Sequence, residues 1–173
     1  SICGRVCHHP CESGCNRQQI DAPVTIRSVE RFLADVDLKS KKRYVPEPKG
    51  RKKEKIAVIG SGPAGLSCAF YLAREGYKVT IFEKAKRLGG MLTLGIPAYR
   101  LPREIVAAEI RLIRRMGATI KTGVEVGQDV TVAQLRKKGF KAFFVGIGTQ
   151  ECLRLGVEGE DLKGVYGGLD YLR

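Results

Sequence analysis

Apolar positions between residues 56 and 150 switch between two periods. Ile56-Ala57-Val58-Ile59 is a short continuous apolar run, the pattern of a strand buried on both faces. Residues 64–75 then read as a helix and residues 78–83 as a second strand. A glycine-rich stretch, 88–95, passes through Pro97 and Pro102 into a long helix expected over 103–116. A strand over 118–122, a short helix near 131–138 and an apolar strand over 142–147 complete the series. Strand and helix in alternation predict an α/β fold, with a parallel sheet covered by helices. Earlier in the chain, Ile26, Val29, Phe32, Leu33 and Val36 recur at spacings of three and four. That spacing predicts an amphipathic helix over 25–37, preceded by Pro23 and capped by Thr25. Residues 39–55 follow neither period, and no internal repeat is visible.

The first strand runs into Gly60-Ser61-Gly62-Pro63-Ala64-Gly65, a G-x-G-x-x-G turn that opens the next helix. Gly60 permits the tight turn, Gly62 lets backbone approach phosphates, and Gly65 lets helix pack on strand. The helix N-terminus presents N–H groups and a positive dipole end to an anion. The second strand ends in Glu83, about 20 residues on, where a carboxylate hydrogen-bonds a ribose hydroxyl. Alone the glycine motif would be weak. With strand, helix, strand and acid in order, it points to a dinucleotide pyrophosphate.

Six cysteines are unevenly placed. Cys3, Cys7, Cys11 and Cys15 fall at even spacings in the first fifteen residues. Cys68 lies in the helix after the glycine turn, and Cys152 lies near the C-terminus. Disulfides are one explanation of the cluster, but a cytosolic-type nucleotide-binding domain argues against an oxidising compartment. Zinc usually takes C-x2-C pairs, which this spacing does not supply. Dense thiolates beside a redox-cofactor fingerprint favour an iron–sulfur cluster, with reduced structural thiols as the bland alternative. Adjacent His8 and His9 rarely converge on one ion, so they read as loop histidines.

The net charge of +13 raises the question of nucleic acid. Much of the excess lies in residues 39–55, broken by Pro46, Pro48 and Gly50, which is linker composition. No recognition module or aromatic platform accompanies the charge, so no nucleic-acid role is expected. A solvated linker, or a docking surface for an acidic partner, fits better. No apolar run approaches the roughly 20 residues of a membrane span, so no membrane role is expected. The chain opens on Ser1-Ile2-Cys3, inside a cysteine motif and without an initiator Met, which suggests an excised or processed fragment.

The run Cys3-Gly4-Arg5-Val6-Cys7-His8-His9-Pro10-Cys11-Glu12-Ser13-Gly14-Cys15-Asn16-Arg17 resembles the N-terminal segment of the glutamate synthase small-subunit family. Dihydropyrimidine dehydrogenase and ferredoxin:NADP transhydrogenase subunits share this module. The resemblance continues through the 60–65 turn, Glu83-Lys84, Gly89-Gly90-Met91, the 95–102 segment and Gly146-Ile147-Gly148-Thr149. It ends in residues 159–165 and covers essentially the whole chain. It implies a cysteine-rich, α-helical iron–sulfur module over 1–38, a basic linker over 39–55, and the first part of a Rossmann-like FAD-binding domain over 56–173.

The resemblance further implies an electron-transfer flavoprotein in the cytoplasm. NAD(P)H reduces FAD, and electrons pass singly through [4Fe–4S] clusters to a partner, or in reverse. The partner would be a larger redox subunit or domain: glutamate synthase large subunit-like, hydrogenase-linked, formate dehydrogenase-linked or ferredoxin-linked. The runner-up is a non-catalytic electron-relay or docking subunit. By the same resemblance, the pyrophosphate lies over Gly60, Ser61, Gly62, Pro63, Ala64 and Gly65, and Glu83 takes the adenosine ribose with Lys84 adjacent. Gly89, Gly90 and Met91 line the flavin side. Arg100, Val126, Gly148 and Thr149 match positions near the cofactor; plainer readings are a surface arginine, a core valine and a strand-end turn. Cys7, Cys11 and Cys15 are the preferred cluster ligands, Cys3 is a further one, and Glu30 matches a glutamine ligand of one relative. Relatives take further thiolates from an upstream cysteine group and bind NAD(P)H in a later domain, neither of which this sequence contains. The chain therefore reads as the N-terminal half of a larger flavoprotein or as a split subunit. No catalytic acid, base or nucleophile is legible, and hydride transfer to flavin needs none.

Overall fold

β-Branched and aromatic residues concentrate in four runs, which pair as β1 (Lys55–Ile59), β2 (Lys78–Glu83), β3 (Thr119–Thr122) and β4 (Phe140–Val145). The computed structural model describes residues 1–172; residue 173, the last of the expected flavin domain, lies outside them. Among the described residues the strands form one parallel sheet in the order β3-β2-β1-β4. Parallel neighbours require crossovers. α4 (Pro63–Arg74) joins β1 to β2, and α5 (Met91–Leu94) with α6 (Arg103–Arg115) joins β2 to β3. α7 (Val132–Lys137), opened by a Thr131/Gln134 capping box, joins β3 to β4.

Side chains alternate between the faces of each strand. Val58, Val79 and Ile81 pack with Leu66, Ala69 and Ala73 of α4 and Val106, Ile110 and Ile113 of α6. Ala57 and Phe82 face the other way, against Val130, Leu135 and Phe140. Burial on both faces explains the unbroken apolar run in β1. β4 begins two residues earlier than the sequence pattern suggests, because its pairing starts with Phe140 opposite Lys55, where β1 itself begins. Among the described residues no helix is long and apolar enough to cross a membrane.

The cysteine segment folds as α1 (Cys3–Val6), α2 (Pro10–Ser13), a 3-10 turn (Asn16–Gln19) and α3 (Ile26–Lys39). The expected helix is present, but Thr25 makes no side-chain cap. Glu12 caps it instead, its carboxylate accepting from the Arg27 N–H at 2.9 Å. The apolar stripe of α3 is largely uncovered. Phe32 is 66% and Leu33 61% exposed, with Val29 and Val36 about half exposed. α1 packs against another side of α3, with Arg5 donating to Asp35 at 2.5 Å.

Residues 40–54 carry no helix or strand, yet they are fastened to the sheet domain. The Lys49 and Lys52 N–H groups donate to the carbonyls of Arg74 and Gly76, at 2.8 and 2.9 Å. Val45 packs on the main core, as do Ile2 and Val6 from the cysteine segment. Arg43 is the central fastener. Its guanidinium donates to Asp37 Oδ2, Ala108 O and Glu109 Oε1, each at 2.8 Å. The Ser1 hydroxyl reaches the same Glu109 oxygen at 2.6 Å.

These ion pairs set a pH response. Hydrogen bonding from Arg5 holds the Asp35 carboxyl below its ordinary range. Burial opposes ionisation of Asp37, but the Tyr44 N–H and the Arg43 guanidinium outweigh it, and its pKa is lowered too. A depressed carboxyl stabilises above its unfolded value of about 3.9, and that contribution is lost as pH falls through the folded value. Acidification below about pH 4 is therefore expected to loosen α3 from α1 and from the Arg43–Tyr44 segment. Hydrogen exchange in α3 checks this, and Asp37→Asn should flatten the pH profile. An unaltered profile in that variant contradicts the role given to Asp37.

Candidate functional site

The strand order creates the site. From β1 the chain moves to β2 and β3 on one side and returns to β4 on the other. The crevice beyond the carboxyl ends of β1 and β4 is thus the topological switch point, where open α/β sheets bind ligands. The 60–65 turn leaves β1 there, and Gly146-Ile147-Gly148-Thr149 leaves β4 beside it. The Gly146 N–H donates to the Ile59 carbonyl at 2.8 Å, which holds the two exits together.

Two glycines in the turn are required by the fold. Gly60 has φ +100°, and a Cβ there would overlap the Gly146 carbonyl. A Cβ on Gly65 would overlap the Gly60 carbonyl and touch Val58 at 3.3 Å, so α4 seats on β1 only through glycine. Gly62 is different. Its φ of −66° suits any residue, and a Cβ there meets nothing within 4 Å. Packing gives no reason for glycine at 62, whereas a ligand approaching the backbone does. Pro63 occupies the first turn of α4, where its missing N–H costs nothing, and Leu66 N closes the first bond onto Gly62 O at 2.9 Å. The first-turn N–H groups and the dipole of this 12-residue helix face the crevice.

Glu83 ends β2 almost buried beneath the turn. Its Oε2 accepts from the Ser61 N–H at 2.8 Å and the Ser61 hydroxyl at 2.7 Å, while Oε1 accepts from Ala85 N–H at 2.8 Å. The carboxylate therefore shapes the turn and ends at the mouth of the crevice. Oε1 retains an acceptor site for a further donor, whereas both sites of Oε2 are taken by Ser61. Gly89-Gly90 lies against the turn, since a Cβ on Gly90 would come within 2.9 Å of Gly62 Cα. Met91 follows as the first residue of α5. Lys84, Arg100, Gly148 and Thr149 are exposed. Val126 is half buried, bridged to Val130 and packed beside Phe82 and Leu135.

The four early cysteines are not gathered into one site. Cys3 and Cys11 are exposed, and Cys7 and Cys15 are half exposed. Among the described residues no three His, Cys, Asp or Glu side chains are placed to hold one metal. Cys7 is tied into the segment, its sulfur accepting from His9 N at 3.3 Å and its carbonyl from Arg27 Nη1 at 3.3 Å. These thiols alone do not make a complete cluster site. Glu30 is an exposed residue of α3. His9 lies 3.7 Å from Glu12. Cys68 is partly buried, which pushes its thiol pKa up, and the Cys152 sulfur accepts from Leu169 N.

Comparison with known proteins supplies what geometry alone does not. Residues 1–42 match the family described as dihydropyrimidine dehydrogenase domain II, 4Fe–4S cluster. Residues 58–102 match the NAD(P)-binding Rossmann-like domain. Over 98% of its length the chain is 40% identical to the glutamate synthase [NADPH] small chain of Bacillus subtilis. The chain is thus similar throughout to members of the glutamate synthase small-subunit-like family. Within this family it is 43% identical, over 99% of its length, to the NADP(+)-dependent formate dehydrogenase subunit beta of Moorella thermoacetica. It spans 34% and 27% of these two relatives. The fold is also that of FprA from Mycobacterium tuberculosis, solved with NADPH. That structure superposes with a TM-score of 0.62 at 22% identity, over 70% of this chain and 28% of FprA.

Proposed function

We propose that this chain is the flavin-binding and iron–sulfur portion of an NAD(P)H-linked electron-transfer oxidoreductase. The observation that carries the proposal is the fastening of a cysteine segment, through Ser1, Arg43, Ile2 and Val6, to the domain that holds a dinucleotide turn. A fixed separation between two redox sites is what electron transfer asks of a protein, since the cofactors carry the chemistry. The dinucleotide is FAD, in keeping with the pairing of the 60–65 turn with Glu83-Lys84 and Gly89-Gly90 in the family this chain resembles. Such a flavin, when bound, would take a hydride from NAD(P)H and release electrons one at a time.

This chain's own residues bind and orient. The N–H groups of the 60–65 turn and the α4 dipole receive the pyrophosphate. Glu83 accepts from the ribose, and Gly89, Gly90 and Met91 border the flavin. Arg100, Val126, Gly148 and Thr149 line the approach. Cys7, Cys11 and Cys15, with Cys3, contribute thiolates to clusters completed by residues from elsewhere. The NAD(P)H site lies outside these residues. The partner is a larger redox subunit or domain, of the glutamate synthase large-subunit, formate dehydrogenase, hydrogenase or ferredoxin-linked kind, and the assembly works in the cytoplasm.

Visible spectroscopy of the intact protein tests this. Two flavin bands, a broad iron–sulfur shoulder and bleaching of both by NAD(P)H are expected. A colourless protein, or one holding stoichiometric zinc, would contradict the proposal. The Glu83 role has its own check. Glu83→Ala should lower flavin occupancy, because a hydrogen bond to a charged acceptor is worth about 1.5–3 kcal/mol. Unchanged flavin content in that variant would count against it.

A further inference from the structure

Ser61 occupies a variable position of the glycine fingerprint, one that the turn itself does not reserve for serine. Yet Ser61 is fully buried, and its hydroxyl is used twice. It donates to Glu83 Oε2 at 2.7 Å and accepts from the Gly89 N–H at 3.1 Å. The direction of both bonds is fixed. An ionised carboxylate only accepts and an amide N–H only donates, so the hydroxyl proton must point at Glu83. Gly89 is buried, and without Ser61 Oγ its N–H would lose this acceptor away from water.

We infer that the Ser61 hydroxyl is a positioning group that ties the 60–65 turn to the 88–91 loop, so that both sides of the crevice close on one dinucleotide as a single unit. The loop is held from two directions. Thr93 Oγ1 stands 2.8 and 3.1 Å from the carbonyls of Leu88 and Gly90, and the one hydroxyl proton shared between them fixes the loop to α5. Ser61 fixes it to the turn, where Gly90 already lies against Gly62. Glu83 is the shared anchor, because Ser61 N and Oγ converge on one of its oxygens. The ribose acceptor, the pyrophosphate turn and the 88–91 loop are thus three parts of one hydrogen-bonded network. Moving the loop disturbs the acid, and moving the acid disturbs the turn.

This inference rests on the reading of the crevice as a dinucleotide site, and its test separates the two. Ser61→Ala and Ser61→Cys are made in the intact protein; the thiol keeps the size and replaces the hydroxyl by a weak acceptor. Amide exchange is followed by mass spectrometry without flavin, and FAD affinity is measured on the stripped protein. For Ser61→Ala we expect exchange of the 88–91 amides to rise about tenfold while β1, β2 and α4 keep their protection, and FAD to bind about tenfold more weakly. Ser61→Cys should show the same selective pattern, smaller in size. Wild-type exchange and affinity in Ser61→Ala would overturn the inference. So would a uniform rise across the sheet in both variants, because that is a general loss of stability. If the wild-type protein binds no dinucleotide, the reading of the crevice fails; the exchange pattern still decides whether Ser61 ties loop to turn.

Discussion

Replacing Gly62 by valine is expected to weaken flavin binding on the order of a hundredfold, about 2.7 kcal/mol, while the thermal midpoint stays near that of the wild type. The two halves of this expectation have separate causes. The fold tolerates a Cβ at 62, where φ is −66° and nothing lies within 4 Å. The ligand would not, because in the proposed site the side chain would stand where the pyrophosphate meets the backbone. Gly65→Val is the contrasting variant. Its Cβ would overlap the Gly60 carbonyl, so α4 would be forced off β1 and stability would fall with binding. Flavin fluorescence titration and a melting curve on both variants separate ligand approach from packing. Equal loss of stability in the two would contradict this division.

The second large effect concerns the cysteines. Cys11→Ser or Cys15→Ser in the intact complex should remove one [4Fe–4S] signal and cut electron flow to the partner. Flavin reduction by NAD(P)H should persist, since hydride transfer precedes the clusters. Three or four thiolates in so short a segment repel one another unless a cation balances them, and cluster iron does so. Anaerobic iron and sulfide analysis with electron paramagnetic resonance gives the readout. Full cluster content in both variants would remove these residues from the ligand set.

What the sequence reveals here depends on how local the physical cause is. The glycines of the 60–65 turn are legible because their requirement is set within a few residues: a positive φ at 60 and a helix seated on a strand at 65. The order of strands and helices is legible for the same reason, through period and length. Glu83 is legible as the acid after β2, but its bonds to Ser61 and Ala85 are not, because they depend on how the turn folds over it. Ser61 falls at a position the fingerprint leaves open, so its tie to Gly89 emerges only when residues 61 and 89 meet.

Longer-range causes are harder to read. Arg43 looks like one more charge in a basic stretch, and its partners at 108 and 109 are known only once α6 lies beside it. The cap on α3 comes from Glu12, fifteen residues from the N–H it receives, while the local candidate Thr25 makes no side-chain cap. The spacing of Val29, Phe32, Leu33 and Val36 reveals a helix with an apolar stripe, but not that α1 would pack against another side of it. Even spacing of the four cysteines shows their density and says nothing of convergence, which the fold of residues 1–42 does not provide.

The most direct measurement is an experimental structure of the intact protein with its bound cofactor, determined by crystallography or electron cryomicroscopy. The account predicts density for FAD, with the pyrophosphate over the 60–65 turn, the adenosine ribose against Glu83 and the flavin ring beside Gly89-Gly90. A nicotinamide dinucleotide in that turn, or FAD bound elsewhere with the turn empty, would contradict it.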